Sequence, residues 1–413
     1  MIDLTQFIRP GDTILVHQGA AEPRSLVEAL IEQRHTLRNV RVLVGSSFTG
    51  LFRPEHADVL SFVGFGGIAE TAALTKAGAM DVLPVHLGML PHLIASGRLD
   101  VDVMFLSVSE PDGDENHSLG LTADYVQAGL ARARTVLAEQ NPRVPFTFGD
   151  TLVNRSSIDA IVVDDRPLIE VLQRPATAHD RAIATLVAER LPDGATIQIG
   201  VGTTPDAVLA GLRGARDLGV HSGLVSDAML ELVEAGTITN LRKEIDTGTI
   251  VTGALLGTDR LYRWADRNPV LQMRPLTYTH EPRVLGRLGS LFAINSALEV
   301  DLSGQVNAEM VAGRYAGAIG GQGAFVRAAL TSDHGRSIIT LPSTAAGGTV
   351  SRIVATLADG VVTTPRSDAD LIVTEHGVAD LRGASLRQRA ERLLAIADPR
   401  HRDGLARRLA LRH

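Results

Sequence analysis

Short apolar runs rich in β-branched residues recur along this chain, each followed by a longer stretch whose apolar positions return at helical spacing. Thr13–His17 (TILVH) precedes RSLVEALIEQ, and Val40–Gly45, Asp102–Val108, Arg134–Asn141 and Ile158–Val163 repeat the short form. The second half keeps this rhythm through ATIQIG, TIVTGALLG, LFAINSALEVD, SIITLP and LIVTEHG. Near-continuous apolar strands suit a sheet covered on both faces, and strands alternating with helices predict βαβ units in a largely parallel sheet. The stretch VLQRPATAHDRAIATLVAERLPDG passes from a proline-containing linker into an amphipathic helix, then into a new strand at Ala195. At 413 residues the chain exceeds a comfortable single domain, so two α/β domains are expected, 1–180 and 181–413.

Composition narrows the class of partner. Net charge is −7 and the isoelectric point is near 6.0, which leaves no basic excess to neutralise phosphates and argues against nucleic acid or an anionic membrane. No apolar run approaches the ~20 residues needed to span a bilayer, and the N-terminus lacks the pattern of a signal peptide. The chain has no cysteine, which removes disulfides, thiolate metal ligands and thiol nucleophiles together and agrees with a cytoplasmic setting. Aromatics make up only 4%, so the core must be built from Val, Ile, Leu and Ala. The tail DPRHRDGLARRLALRH is basic and helical, and reads as a solvated surface helix.

Three stretches carry candidate chemistry. Gly200, Val201, Gly202, Thr203 and Thr204 end a strand and open a helix with Pro205 near its start, a setting for a phosphate or pyrophosphate, or simply a tight turn. Glu299, Asp301 and Glu309 follow Asn295 and invite a paired-carboxylate or metal reading, but polar side chains on a hairpin explain them equally. The doublet Gly320-Gly321, just after Gly317, can aim backbone N–H groups at an oxyanion or mark a close approach of two backbones.

Six blocks of the second half name a family: IQIGVGTTPDAVL, DLGVHSGLVSDAMLELVEAGTITN, AINSALEVDLSGQVNAE, GAIGGQGAFVRAA, LPSTAAGGTVSRIV and LIVTEHGVADLRGASLRQRAERLLAIADPRHR. With looser matches at LSVSEPDGDENHSLGLTADYV and VPFTFGDTLVNRSSIDAIV, the chain resembles the acetyl-CoA hydrolase/CoA-transferase family. The resemblance implies two CoA-transferase-type α/β domains and an acyl-CoA substrate with no bound cofactor or metal. It also implies a homodimer, and a glutamate nucleophile that forms a glutamyl-CoA thioester. Contacts to CoA and the acyl group are implied at Gly200, Val201, Gly202, Thr203, Thr204, Asn295, Gly317, Gly320 and Ala346, with an oxyanion-hole N–H at Gly321.

The chain departs from that pattern where the chemistry is decided. The H-[ST]-E-[MV] stretch reads His221-Ser222-Gly223-Leu224, so a glycine stands at the nucleophile position. His280-Glu281-Pro282 stands where an asparagine is expected, and Ala346 where P-S-T-A-K has lysine. SFVGFGGIAE lacks an arginine expected nearby. Gly223 is expected to leave a small cavity that holds a water or other nucleophile, with His280 as general base near neutral pH. Hydrolysis or direct acyl transfer then follows, from CoA or from a carrier-protein thioester. The alternatives are a conventional transferase with a displaced carboxylate, for which Asp227 is a candidate, and a catalytically silent binding paralogue.

Overall fold

A computed structural model describes residues 2–358 and 360–410. Seven strands form a first sheet: β1 (Thr13–Val16), β2 (Arg41–Val44), β3 (Ser61–Gly64), β4 (Met80–Val82), β5 (Val103–Val108), β6 (Thr135–Gln140) and, past the short β7 (Phe148–Gly149), β8 (Ala160–Val163). Their order is β8-β6-β5-β1-β2-β3-β4, and every pairing is parallel. The apolar runs read from the sequence supply these strands. All six residues of β5 are buried, as expected for a strand with helices on both faces.

The second sheet contains β9 (Thr196–Ile199), β10 (Gly219–Val225), β11 (Ile250–Leu255), β12 (Leu271–Met273), β13 (Leu291–Ser296), β14 (Arg336–Thr340), β15 (Leu371–Thr374) and β16 (Gly377–Asp380). It runs β16-β15-β14-β13-β9-β10-β11-β12-β7, taking its last strand from the first half of the chain. Only the β15–β16 edge pair is antiparallel. The α/β class and the largely parallel sheets expected from the pattern are therefore present. Among the described residues no helix is long and apolar enough to cross a membrane. The basic tail forms the helix Pro399–Ala410, and its last three residues, 411–413, lie outside the described residues.

Both sheets reverse strand order at one place. In the first, the chain steps outward one way from β1 and the other way from β5; in the second, it does so from β9 and from β13. Loops at the carboxyl ends of strands splay apart at such a switch point, which is where open α/β sheets bind ligands. Residues just past β1, β2 and β3 meet residues ending β9, β11 and β13 around one cavity of about 450 Å³.

Candidate active site

The cavity brings together Gly200, Val201, Gly223, His280, Asn295, Gly317, Gly320 and Gly321 from the sequence reading. Asn295 donates to Gln198 Oε1 at 3.0 Å and accepts from Gln198 Nε2 at 3.3 Å, a reciprocal amide pair bridging β13 and β9. Gly202, Thr203 and Thr204 sit just beyond, where Gly202 (φ 128°) caps the helix Thr203–Gly211. The Thr204 hydroxyl donates to Asp180 Oδ1 at 2.5 Å, anchoring the turn to the preceding helix, Ala178–Ala188. Ala346 lies away from the cavity lining, in a short turn with φ 48°.

Gly223 lines the cavity beside the His280 ring. A Cβ built there would lie 3.1 Å from Cε1 and 3.5 Å from Nε2 of His280, so a side chain at 223 would pack directly against the imidazole. Gly321 meets the same ring from the other side, where a Cβ would come within 2.2 Å of Nε2. Phe325 packs edge-on against the ring at 4.8 Å between centroids. His280 follows the helix Leu276–Thr279 and donates its backbone N–H to Leu276 O at 3.1 Å.

Burial, and to a lesser degree the nearby His221, lowers the His280 pKa to about 3, so the ring does not titrate near neutrality as expected from its identity alone. Its Nδ1 lies 2.9 Å from the Thr279 hydroxyl, which also lies 3.3 Å from the Pro275 carbonyl. The Pro275 carbonyl also accepts the Tyr278 and Thr279 N–H groups at 2.9 and 3.0 Å, so the hydroxyl can donate to it or to Nδ1. Nε2 is the ring nitrogen that faces Gly321.

The other sequence candidates have structural partners. Asp227 begins the helix Asp227–Glu234 and accepts from the Thr258 N–H at 2.8 Å and its hydroxyl at 2.9 Å, outside the cavity. Asp301 Oδ1 accepts from the Ser303 and Gln305 N–H groups of its own turn. Glu309 accepts from the Thr363 hydroxyl at 2.7 Å. The glycines have their own reason. A Cβ on Gly66 would lie 2.5 Å from both Ala318 Cβ and Gly317 O, and the Gly67 N–H donates to Gly317 O at 3.0 Å. The two halves of the chain touch backbone to backbone beside the site.

Among the lining residues the sequence reading passed over is an acidic one, Asp124. It sits in LGLTADYV, an acidic residue inside an otherwise apolar loop, and that contrast was the only available signal. The loop leaves the first half and pairs with the end of β11: the Ala123 N–H donates to Gly253 O, and the Leu255 N–H to Leu121 O, each at 2.8 Å.

Two family models match the chain: the acetyl-CoA hydrolase/transferase N-terminal domain over residues 2–173 and the C-terminal domain over 257–409. A 4-hydroxybutyrate coenzyme A transferase from Clostridium kluyveri is 38% identical over 401 residues, covering 95% of this chain and 92% of that protein. A succinyl-CoA:cyclohexane-1-carboxylate CoA transferase from Geobacter metallireducens is 36% identical over 410 residues, covering 98% and 93%. Among solved structures, RipA from Yersinia pestis aligns with a TM-score of 0.94 at 33% identity, covering 99% of this chain and 96% of that one.

Proposed function

This chain is an acyl-CoA enzyme of the acetyl-CoA hydrolase/CoA-transferase family, and from that premise we propose that it cleaves acyl-CoA by single displacement. The acyl group passes to water or directly to an acceptor, and no glutamyl-CoA intermediate forms. One observation carries this reading: Gly223 offers no side chain to the cavity, and within 4 Å of a Cβ built there stands the His280 imidazole.

In this reading the Gly200–Thr204 turn holds CoA, with the free N–H groups of the helix Thr203–Gly211 toward its phosphates. The thioester carbonyl lies at Gly321, the N-cap of the helix Gln322–Thr331, whose N–H receives the developing oxyanion. With its proton on Nδ1, His280 presents an Nε2 lone pair that accepts a hydrogen bond from the incoming nucleophile and orients it toward the acyl carbon. Each oxyanion donor is worth ~10²–10³ in rate, and holding the nucleophile in line with the acyl carbon adds to it. Together these support turnover without covalent catalysis.

Thiol release from a panel of acyl-CoA esters, measured for wild type and His280→Ala, tests the reading. The expected result is a loss of about 10²-fold in the variant, from lost positioning of the nucleophile. Intact-protein mass spectra of the acyl-CoA-treated enzyme should show no added CoA mass. Equal rates in the two proteins, or none in either, reject it.

A further inference from the structure

Asp124 shares the cavity with Gly223, His280 and Gly321, and nothing in the single-displacement scheme yet uses it. It is 6% exposed. The Gln18 amide, one residue pair past β1, donates to its Oδ2 at 2.5 Å. Its Oδ1 lies against Gly253 of β11, 2.6 Å from where a Cβ on that glycine would stand, so the absence of a side chain at 253 makes room for the carboxyl. Flanking pairs Ser222↔Thr252 and Leu224↔Ala254 put Gly253 beside Gly223 in register, and the same built Cβ is 3.2 Å from Gly223 O. A carboxyl oxygen therefore stands over Gly253, the strand neighbour of Gly223, delivered by a different loop and lining the same cavity.

We propose that Asp124 takes the proton from the attacking nucleophile and returns it to the departing thiolate. This rests on the single-displacement reading. Water bonds through oxygen to the acyl carbon as the proton it does not share with His280 moves to Asp124. The carbonyl reforms, the C–S bond breaks with its electron pair on sulfur, and the proton held by Asp124 passes to that sulfur. Acyl-CoA and water give a carboxylic acid and the free thiol of CoA, with atoms and charge in balance.

The surroundings suit that cycle. Gln18 and Gly253 do not titrate, the His280 ring stays neutral, and the neighbouring Tyr125 phenol is raised well above its usual range. Burial, opposed by the Gln18 hydrogen bond, pushes the Asp124 carboxyl up to about 7. An acid near the working pH is the effective proton carrier, and a thiol of ~8.5 takes the proton from it downhill. A nucleophilic role fits less well. Oδ2 is engaged by Gln18 and Oδ1 is seated over Gly253, on a side chain one methylene shorter than glutamate.

The test is the pH dependence of kcat/KM for the full-length enzyme and Asp124→Asn, on an acyl-CoA that wild type cleaves. Wild type should gain activity with rising pH through an apparent value near 7. Asp124→Asn should lose ~10²–10⁴-fold and that limb together. Unchanged rate and profile in the variant overturn the inference while leaving the single-displacement reading intact. A CoA adduct on Asp124 in the mass spectrum overturns both, and so does a wild type inactive on every acyl-CoA. Should Asp124→Asn not fold, a wild-type profile that is flat around pH 7 is enough to reject the inference.

Discussion

Gly223, His280 and Gly321 lie far apart in the chain, yet one imidazole fills the space both glycines leave. Their identities were legible because each departs from, or matches, a family block. Their contact was not, since no local spacing encodes which strand end a distant helix terminus will meet. Asp124 marks the same limit from the other side, because an Asp in an apolar loop gives no hint that the loop will cross to β11. The shared ring yields a prediction. Gly223→Glu places a Cβ 3.1 Å from Cε1 of a ring already packed on Phe325, so the single variant should lose about 1–3 kcal/mol to overpacking. Adding His280→Asn opens that space and should restore most of the stability. Because the residues touch, the two effects should not add. The double variant should also acquire a CoA mass when treated with acyl-CoA, which the wild type should not. Thermal melts and intact mass measure both, and additive losses with no adduct would count against the packing account.

At the scale of elements, the turn that opens the helix Thr203–Gly211 is held from outside the cavity. Thr177 and Asp180 form a capping box on the helix Ala178–Ala188: the Asp180 N–H donates to Thr177 Oγ1 at 3.2 Å, and the Thr177 N–H to Asp180 Oδ2 at 2.9 Å. The other Asp180 oxygen takes the Thr204 hydroxyl. Burial raises this carboxyl, but the Thr177 and Thr204 hydrogen bonds outweigh it, and its pKa is lowered. The linker-to-helix transition was legible here because a proline-containing linker gives way to an amphipathic stretch. That the same aspartate reaches Thr204 was not, since the two helices meet only through tertiary packing. Asp180→Ala removes the box and the tether together and should cost about 1–2 kcal/mol, the upper range for a cap. It should weaken CoA binding as well if the turn holds CoA. Calorimetric affinity for CoA should then fall while Asp180→Asn, which keeps two acceptor lone pairs, loses less. An unchanged affinity in the alanine variant separates the tether from the ligand.

Over the whole molecule, parallel sheets and alternating elements could be read from hydrophobic pattern, because a doubly covered strand needs apolar residues on both faces. Strand order could not, nor the loan of β7 to the second sheet, since neither changes the pattern of any one strand. The carboxyl ends that converge on the cavity also concentrate buried ionisable groups, with opposing consequences for stability. Burial lowers His17 and His221 to about 4 and His280 to about 3. His17 is neutral by geometry as well: Nδ1 accepts from the Ser107 N–H at 3.3 Å while Nε2 donates to Thr122 O at 2.8 Å, holding the loop that bears Asp124. These rings contribute stability in full above the unfolded value of ~6.5, and lose it as pH falls toward 4, where the unfolded chain binds protons the fold excludes. Asp124 works in the reverse sense. Its folded value, about 7, lies above the unfolded ~3.9, so its stabilising share is complete below ~3.9 and is lost as pH rises through 7. At pH 8 the buried carboxylate is therefore a cost to the fold. Asp124→Asn keeps the Gln18 hydrogen bond without the charge, and should be more stable than wild type at pH 8 by roughly 2–4 kcal/mol. That advantage should shrink steadily toward pH 5, where the wild-type carboxyl is protonated in the fold. Denaturant unfolding of both proteins at the two pH values measures it. An advantage that does not change with pH would mean that Asp124 is not buried as an acid, and would remove it from the proton path as well.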